Sequence, residues 1–302
     1  MRTVYLGTSD FAATVLRRLA DSPHKPALVV TPPDRRQGRG RRVSPPPVAE
    51  LATELGIDLL QAENVNEAEA RERIRAARPE AVAVCAFGQL IGEPLLSAFP
   101  ILNVHPSLLP RWRGAAPIER AIMAGDSRTG VCIMRLTKGL DSGPVALREE
   151  IPLGPDEDFQ ALAKRLAALG AELLVKALEQ QAAGTIEFRE QDEAGATYAA
   201  KIDPAERRLD PSRPATELDA AVRGLTPHIG AYLELAGEER LGVRKARAVD
   251  VSVETGAVKS EWGALLVGCC RGALRLDEVQ PAGGKPMPVA AYMRGHPLPK
   301  LA

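Results

Sequence analysis

Ala81-Val82-Ala83-Val84-Cys85-Ala86 is apolar at every position. A strand with one wet face alternates polar and apolar side chains, whereas a strand covered on both faces need not. AVAVCA therefore reads as an interior strand of a parallel sheet. Moving outward, the chain alternates short apolar runs with helical patterns. Upstream, residues 3–6 (TVYL) and 27–30 (ALVV) are predicted strands. Between them residues 10–21 repeat as a helix, with Ser9 or Asp10 as N-cap and Phe11, Val15, Leu16 and Leu19 on one face. Residues 47–55 form a second helix, its proline suited to the first turn. Downstream, residues 101–105 and 131–136 are two more strands. Residues 159–180 are a long helix with Phe159, Leu162, Leu166, Leu169, Leu173 and Leu174 as its apolar stripe. Strands alternating with helices predict βαβ units and a doubly wound, mostly parallel α/β sheet over residues 1–190.

At Gln191 the periodicity fades. Residues 191–210, QDEAGATYAAKIDPAERRLD, are polar and read as a linker. Beyond them a helix at 215–223 precedes short strands at 231–235, 241–249, 264–269 and 273–276. Several short strands separated by turn residues predict a smaller β-barrel, OB-like domain over 211–302. Two domains suit a chain of 302 residues, more than one core usually holds.

Composition narrows the function. Apolar residues make up 45% and charged residues 26%, an ordinary globular balance. No run approaches the roughly 18 apolar residues of a membrane helix, and the start lacks the basic-then-apolar order of a signal peptide. A cytoplasmic protein without membrane attachment is the expectation. Four cysteines, at 85, 132, 269 and 270, have neither zinc-site nor redox spacing, so buried thiols and no metal are expected. Lys+Arg and Asp+Glu balance at 39 each, so any contact with nucleic acid has to be local. Residues 32–44, PPDRRQGRGRRVS, concentrate five arginines in one loop after the second strand.

In an open α/β sheet, ligands bind beyond the carboxyl ends of the strands. Three segments should meet there: Ala86-Phe87-Gly88-Gln89, residues 103–110 (NVHPSLLP) and residues 139–143 (GLDSG). Asn103 and His105 are two apart and share one side of an extended strand. Asp141 could orient the imidazole. No serine or cysteine lies in a nucleophile-elbow pattern. An amide, an imidazole and a carboxylate without nucleophile or metal suit direct attack of a substrate amine on an activated carbonyl. By spacing alone, Asn-x-His at a strand end is more often a turn or a satisfied polar pair than a catalytic site, and Asp141 by itself is an ordinary turn aspartate. His24, His228 and His296 lie in proline-flanked loops and read as surface residues.

The run NVHPSLLPRWRGAAPI (103–118) is more specific than its spacing. It resembles the signature of the folate-dependent formyltransferases, and its RGAAPI half is similar to the methionyl-tRNA formyltransferase branch. GLDSG resembles that family's second motif, and YLGTSDFA, PDRRQGRGRR and TYAAKI are also similar to the branch. The resemblance implies a Rossmann-like catalytic domain, 10-formyltetrahydrofolate as formyl donor and the initiator methionyl-tRNA as acceptor. Asn103, His105 and Asp141 match the family's catalytic positions. Ser107, Leu108, Leu109 and Pro110 match its folate loop, and Phe87 and Gly88 its pteridine site. Arg39 matches an arginine that clamps the tRNA end, with Arg36, Arg41 and Arg42 beside it. The C-terminal domain would hold the acceptor stem; from Glu206 onward it carries 14 Lys/Arg against 12 Asp/Glu. A monomer is expected. Formyl transfer to a small amine, such as an amino sugar nucleotide or glycinamide ribonucleotide, is the rival enzyme reading. Folate hydrolysis is a third, and a catalytically silent RNA-binding relative a fourth. The basic loop and extra domain argue against a small acceptor, which needs neither.

Overall fold

The computed structural model describes residues 1–37, 42–237, 239–261 and 263–302, with the side chains of Arg36, Gln37 and Arg42 left out of account. Chain packing divides it into two units. The first comprises Met1–Gly114, Thr129–Ile151 and Ala163–Tyr198. The second comprises Ala115–Arg128, Pro152–Leu162 and Ala199–Ala302.

Up to residue 105 the elements are β1 (Thr3–Gly7), α1 (Asp10–Ala20), β2 (Pro26–Thr31), β3 (Arg35–Gln37), β4 (Arg42–Ser44), α2 (Pro47–Glu54), β5 (Leu59–Gln61), α3 (Ala68–Ala76), β6 (Ala81–Cys85), α4 (Glu93–Leu96) and β7 (Ile101–His105). There follow β8 (Arg113–Gly114), α5 (Pro117–Met123), β9 (Arg128–Arg135), β10 (Val145–Pro152), α6 (Phe159–Ala183) and β11 (Tyr198–Ala199). The main sheet runs β10-β9-β7-β6-β1-β2-β5. Its β1, β2, β5, β6 and β7 pair in parallel, and β9 joins β7 antiparallel. This is the α/β sheet the sequence predicts, and every residue of β6 is buried.

Ser9 caps α1, its hydroxyl accepting from Ala12 N, and Ala12, Val15, Leu16 and Leu19 form the buried face. Phe11 stays half-buried instead of joining that stripe. Residues 32–44 are not a plain loop: β3 and β4 pair antiparallel as a two-stranded ribbon. Arg36 and Arg42 lie on its strands, and Arg39 and Arg41 fall outside the described residues.

The second unit holds α5, α7 (Ala215–Leu225) and a six-stranded sheet separate from the first. That sheet is built from β12 (Ala231–Leu235), β13 (Glu239–Val249), β14 (Val258–Glu261), β15 (Ala264–Gly268), β16 (Ala273–Gln280) and β17 (Met287–Pro288). The order is β12-β13-β16-β15-β14, with β17 on β16, all antiparallel. Leu218, Leu225, Leu233, Val243, Leu274, Leu276 and Val279 form its core with Val289 and Tyr292 of α8 (Val289–Gly295).

Of the three remaining histidines, His228 and His296 are exposed as expected, and His24 is not. His24 is buried, with Nδ1 3.3 Å from the terminal amine of Met1, and burial lowers its pKa. His228 stacks on Phe159 with ring centroids 3.7 Å apart and meets Glu119 Oε1 at 3.0 Å. His296 stacks on Tyr292. At His24 alone the proline-flanked loop suggested exposure and packing of the first unit overrode that local signal.

Candidate active site

β6 and β7 run parallel with Cys85 opposite Val104, so the segments after them leave from one edge. The turn after β6 holds Ala86 at φ +43° and Gly88 at φ +79°. Left-handed backbone is rare for a residue with a side chain, and the surroundings have to hold it. Here the Phe87 ring is buried among Leu6, Val84 and Leu95, and its carbonyl accepts from Thr8 Oγ1 at 2.7 Å. Gln89 spans the next gap, accepting from Val65 N and donating to Ala62 O, both at 2.8 Å. Phe87 thus anchors the turn from below, and Ala86 and Gly88 on either side of it are exposed.

Asn103 and His105 are both buried, at 8% and 4% exposure. A buried amide ordinarily finds hydrogen-bond partners. The Asn103 carboxamide has none among the described residues, so its donors remain available. His105 is held from two sides. Its Nε2 lies 2.9 Å from Trp112 O, and because a carbonyl only accepts, Nε2 carries a proton. Its Nδ1 faces Asp141 Oδ2 at 3.7 Å, an ion-pair distance when the ring is charged but too long for a hydrogen bond. Asp141 Oδ2 also accepts from Gly114 N at 2.9 Å.

Cys132 stands directly across the sheet from His105. Burial pushes its thiol up to about 11, so the thiolate needed for attack is scarce at neutral pH. Among the described residues, no group of three or more His, Cys, Asp or Glu could hold a metal.

The loop after β7 is shaped from within. Ser107 is buried and donates to Arg111 O at 2.6 Å; Leu109 packs on Cys132 and Met134. Leu108 is half-buried beside β9, where a Cβ on Gly130 would come within 2.6 Å of its Cδ2. Residues 86–88, 103–110 and 139–143 all belong to the first unit. Imidazole and carboxylate meet at 3.7 Å, and the Asn103 carboxamide lies two residues before His105 on β7, on the same side of the strand.

A profile of the formyl transferase family matches residues 1–178, and one for the formyl transferase C-terminal domain matches residues 201–297. Along its whole length the sequence is similar to curated bacterial proteins. It is 42% identical to the methionyl-tRNA formyltransferase of Methylobacillus flagellatus over 301 residues, covering 99% of this chain and 97% of that one. It is 43% identical to the corresponding Ruegeria pomeroyi enzyme, covering 99% of both. The chain belongs to the methionyl-tRNA formyltransferase family. The fold of this family member is also that of more distant solved structures. One is a sugar 3N-formyltransferase, WlaRD, determined with dTDP and 5-N-formyl-THF (TM-score 0.69, 13% identity, 94% of this chain and 99% of that one). Another is HypX of Aquifex aeolicus with tetrahydrofolic acid (TM-score 0.66, 18% identity, 97% of this chain and 47% of that one).

Sequence reasoning missed Arg113, Gln191 and Glu193. Arg113 is 2% exposed; its Nε donates to Gln191 Oε1 at 3.0 Å, and its two terminal nitrogens grip Glu193 at 2.8 and 3.0 Å. Gln191 Nε2 in turn donates to Asp141 O at 2.8 Å and Gly143 O at 2.7 Å. Gln191 and Glu193 belong to the polar, aperiodic stretch that reads as a linker. Only the fold brings them to the turn.

Proposed function

We propose that the protein transfers the formyl group of 10-formyltetrahydrofolate to the α-amine of initiator methionyl-tRNA. The observation that carries this reading is the buried Asn103 carboxamide with unspent donors, beside a histidine whose two nitrogens face a carbonyl and a carboxylate. Asn103 donates to the formyl oxygen as negative charge develops. His105 assists proton movement off the attacking amine, and Asp141 sets its orientation. Free α-amines titrate near 7.7–8.0 and an aminoacyl ester lowers that value, so a strong base is not required. The amine nitrogen bonds to the formyl carbon, the carbon–N10 bond breaks, and N10 takes up a proton.

In this reading folate is a co-substrate. The turn at Phe87 and Gly88 and the loop Ser107, Leu108, Leu109 and Pro110 border its slot. The exposed backbone at Gly88 leaves room for a flat heterocycle, since a Cβ there would meet nothing within 4 Å. Residues 1–190 form the catalytic domain, 191–210 connect it, and 211–302 contact tRNA. Arg36, Arg39, Arg41 and Arg42 grip the phosphates of the acceptor end. The enzyme acts as a cytoplasmic monomer.

The test supplies 10-formyltetrahydrofolate with methionyl-tRNA, an amino sugar nucleotide, glycinamide ribonucleotide or water, and follows loss of the donor. Only methionyl-tRNA should support turnover. Asn103→Ala should lower kcat by about 10²–10³, the usual cost of one oxyanion donor, while folate binding persists. Equal loss of turnover and folate binding refutes the role.

A further inference from the structure

Asp141 sits at φ +44°, in left-handed backbone that disfavours a side chain. Trp112, whose carbonyl receives His105, sits at φ +65°. Both groups that touch the imidazole therefore rest on backbone that relaxes unless held. Trp112 is held by Thr197, whose hydroxyl accepts from Trp112 N at 2.9 Å and whose carbonyl accepts from Arg113 N at 2.9 Å. The Asp141 turn is held by Gln191. One amide group donates both of its protons to that turn, to the carbonyls of residues 141 and 143. The acceptor end of Gln191 is fixed by Arg113 Nε, and the rest of the guanidinium by Glu193. The arginine holds the Glu193 carboxyl below its ordinary range. The next backbone nitrogen after Arg113, that of Gly114, donates to Asp141 Oδ2. The turn is thus gripped by its carboxylate from one side and by two carbonyls from the other.

We propose that Gln191, oriented by Arg113 and Glu193, is a positioning residue that fixes Asp141 against His105. The inference rests on the catalytic trio of the proposed function. Gln191 touches neither the imidazole nor the crevice groups directly. It acts through the turn, so its removal changes how well Asp141 is placed and leaves substrate contacts alone.

The test uses Gln191→Glu, which keeps the size and the acceptor for Arg113 but turns the donor toward two carbonyl oxygens into an acceptor. Gln191→Met, which drops the donors without adding charge, is the second variant should the first fail to fold. Each is measured alone and in an Asp141→Asn background, with kcat and both KM values. The expected result is a kcat at least fivefold lower, KM values within twofold of wild type, and a further loss below twofold once Asp141 is already Asn. A kcat loss smaller than fivefold overturns the inference. So does a change in KM beyond twofold, or a loss of twofold or more that recurs in the Asp141→Asn background, since a general packing role does not depend on residue 141. Wild-type turnover tests the underlying function. The variant-to-wild-type ratio, taken with whichever amine the wild type formylates, tests Gln191, so the two failures separate.

Discussion

Gly143→Ala should uncouple activity from folding. Gly143 closes the turn that carries Asp141, and its φ lies outside the left-handed range, so alanine meets no conformational barrier there. The obstacle is space. An ideal Cβ at 143 falls inside the van der Waals shell of the Arg135 carbonyl oxygen and 3.0 Å from Thr137 Cγ2. A carbonyl oxygen in a strand cannot rotate aside, and β9 is laddered to β7. The turn must give instead, by roughly 1.5 Å to restore ordinary contact distances of about 3.5 Å. Overpacking of this kind costs about 1–3 kcal/mol, which lowers Tm by roughly 2–4 °C per kcal/mol in a chain of this size. A 1 Å misplacement at the reacting groups costs on the order of 10²-fold in rate. The variant should therefore stay folded at 25 °C, keep its folate affinity and lose about 10²-fold in kcat. Gly125→Ala is the control. At φ +70° with nothing near its Cβ, it suffers strain and no clash. It should cost about 1–2 kcal/mol and leave kcat alone. A Gly143→Ala enzyme within threefold of wild-type kcat refutes the reasoning about the turn.

The basic segment makes a kinetic prediction. Arg39→Ala should raise KM for methionyl-tRNA and flatten its salt dependence without changing folate affinity, read from initial rates between low and moderate salt; an unchanged salt slope removes the arginine from the tRNA contact. The thiols differ in reach: burial holds Cys85 at about 12 and Cys132 at about 11, Cys269 is buried, and Cys270 is exposed. Ellman's reagent should titrate a single thiol in the native protein, lost in Cys270→Ser, and all four in guanidinium; rapid reaction of Cys132 contradicts its exclusion as a nucleophile. Asp219 is raised above its ordinary value by burial, with Arg223 opposing. Its folded state holds the proton more tightly than the unfolded chain, so its contribution is complete below the unfolded value of about 3.9 and fades as pH rises through the raised one. Asp219→Asn never ionises, so the variant-minus-wild-type Tm should climb with pH above about 4; a difference flat in pH refutes this.

Local pattern sufficed wherever the signal was period and punctuation. The apolar run at 81–86, the Ser9 cap and the leucine stripe of α6 mark themselves, because each is set by neighbours within a turn or a pleat. Asn103 and His105 are legible for the same reason: two residues apart on one strand, they must face one way. Short elements such as β5, α3 and α5 escape this kind of reading, since three to nine residues hold too little periodic signal to stand against loop composition. So does β10, half-buried and exposed in turn and rich in charge.

By itself the sequence determined the sheet, the β-rich second unit, and the carboxamide, imidazole and carboxylate at one edge. The tertiary structure alone decided that Asp141 stops 3.7 Å from His105, and that Arg113, Gln191 and Glu193 close in behind it. Those partners lie 48 to 80 residues apart. Nothing in their local composition sets them off from surface polar residues. What separates them is the burial of Arg113, which forces each of its donors to find a partner, and burial is a property of the assembled fold.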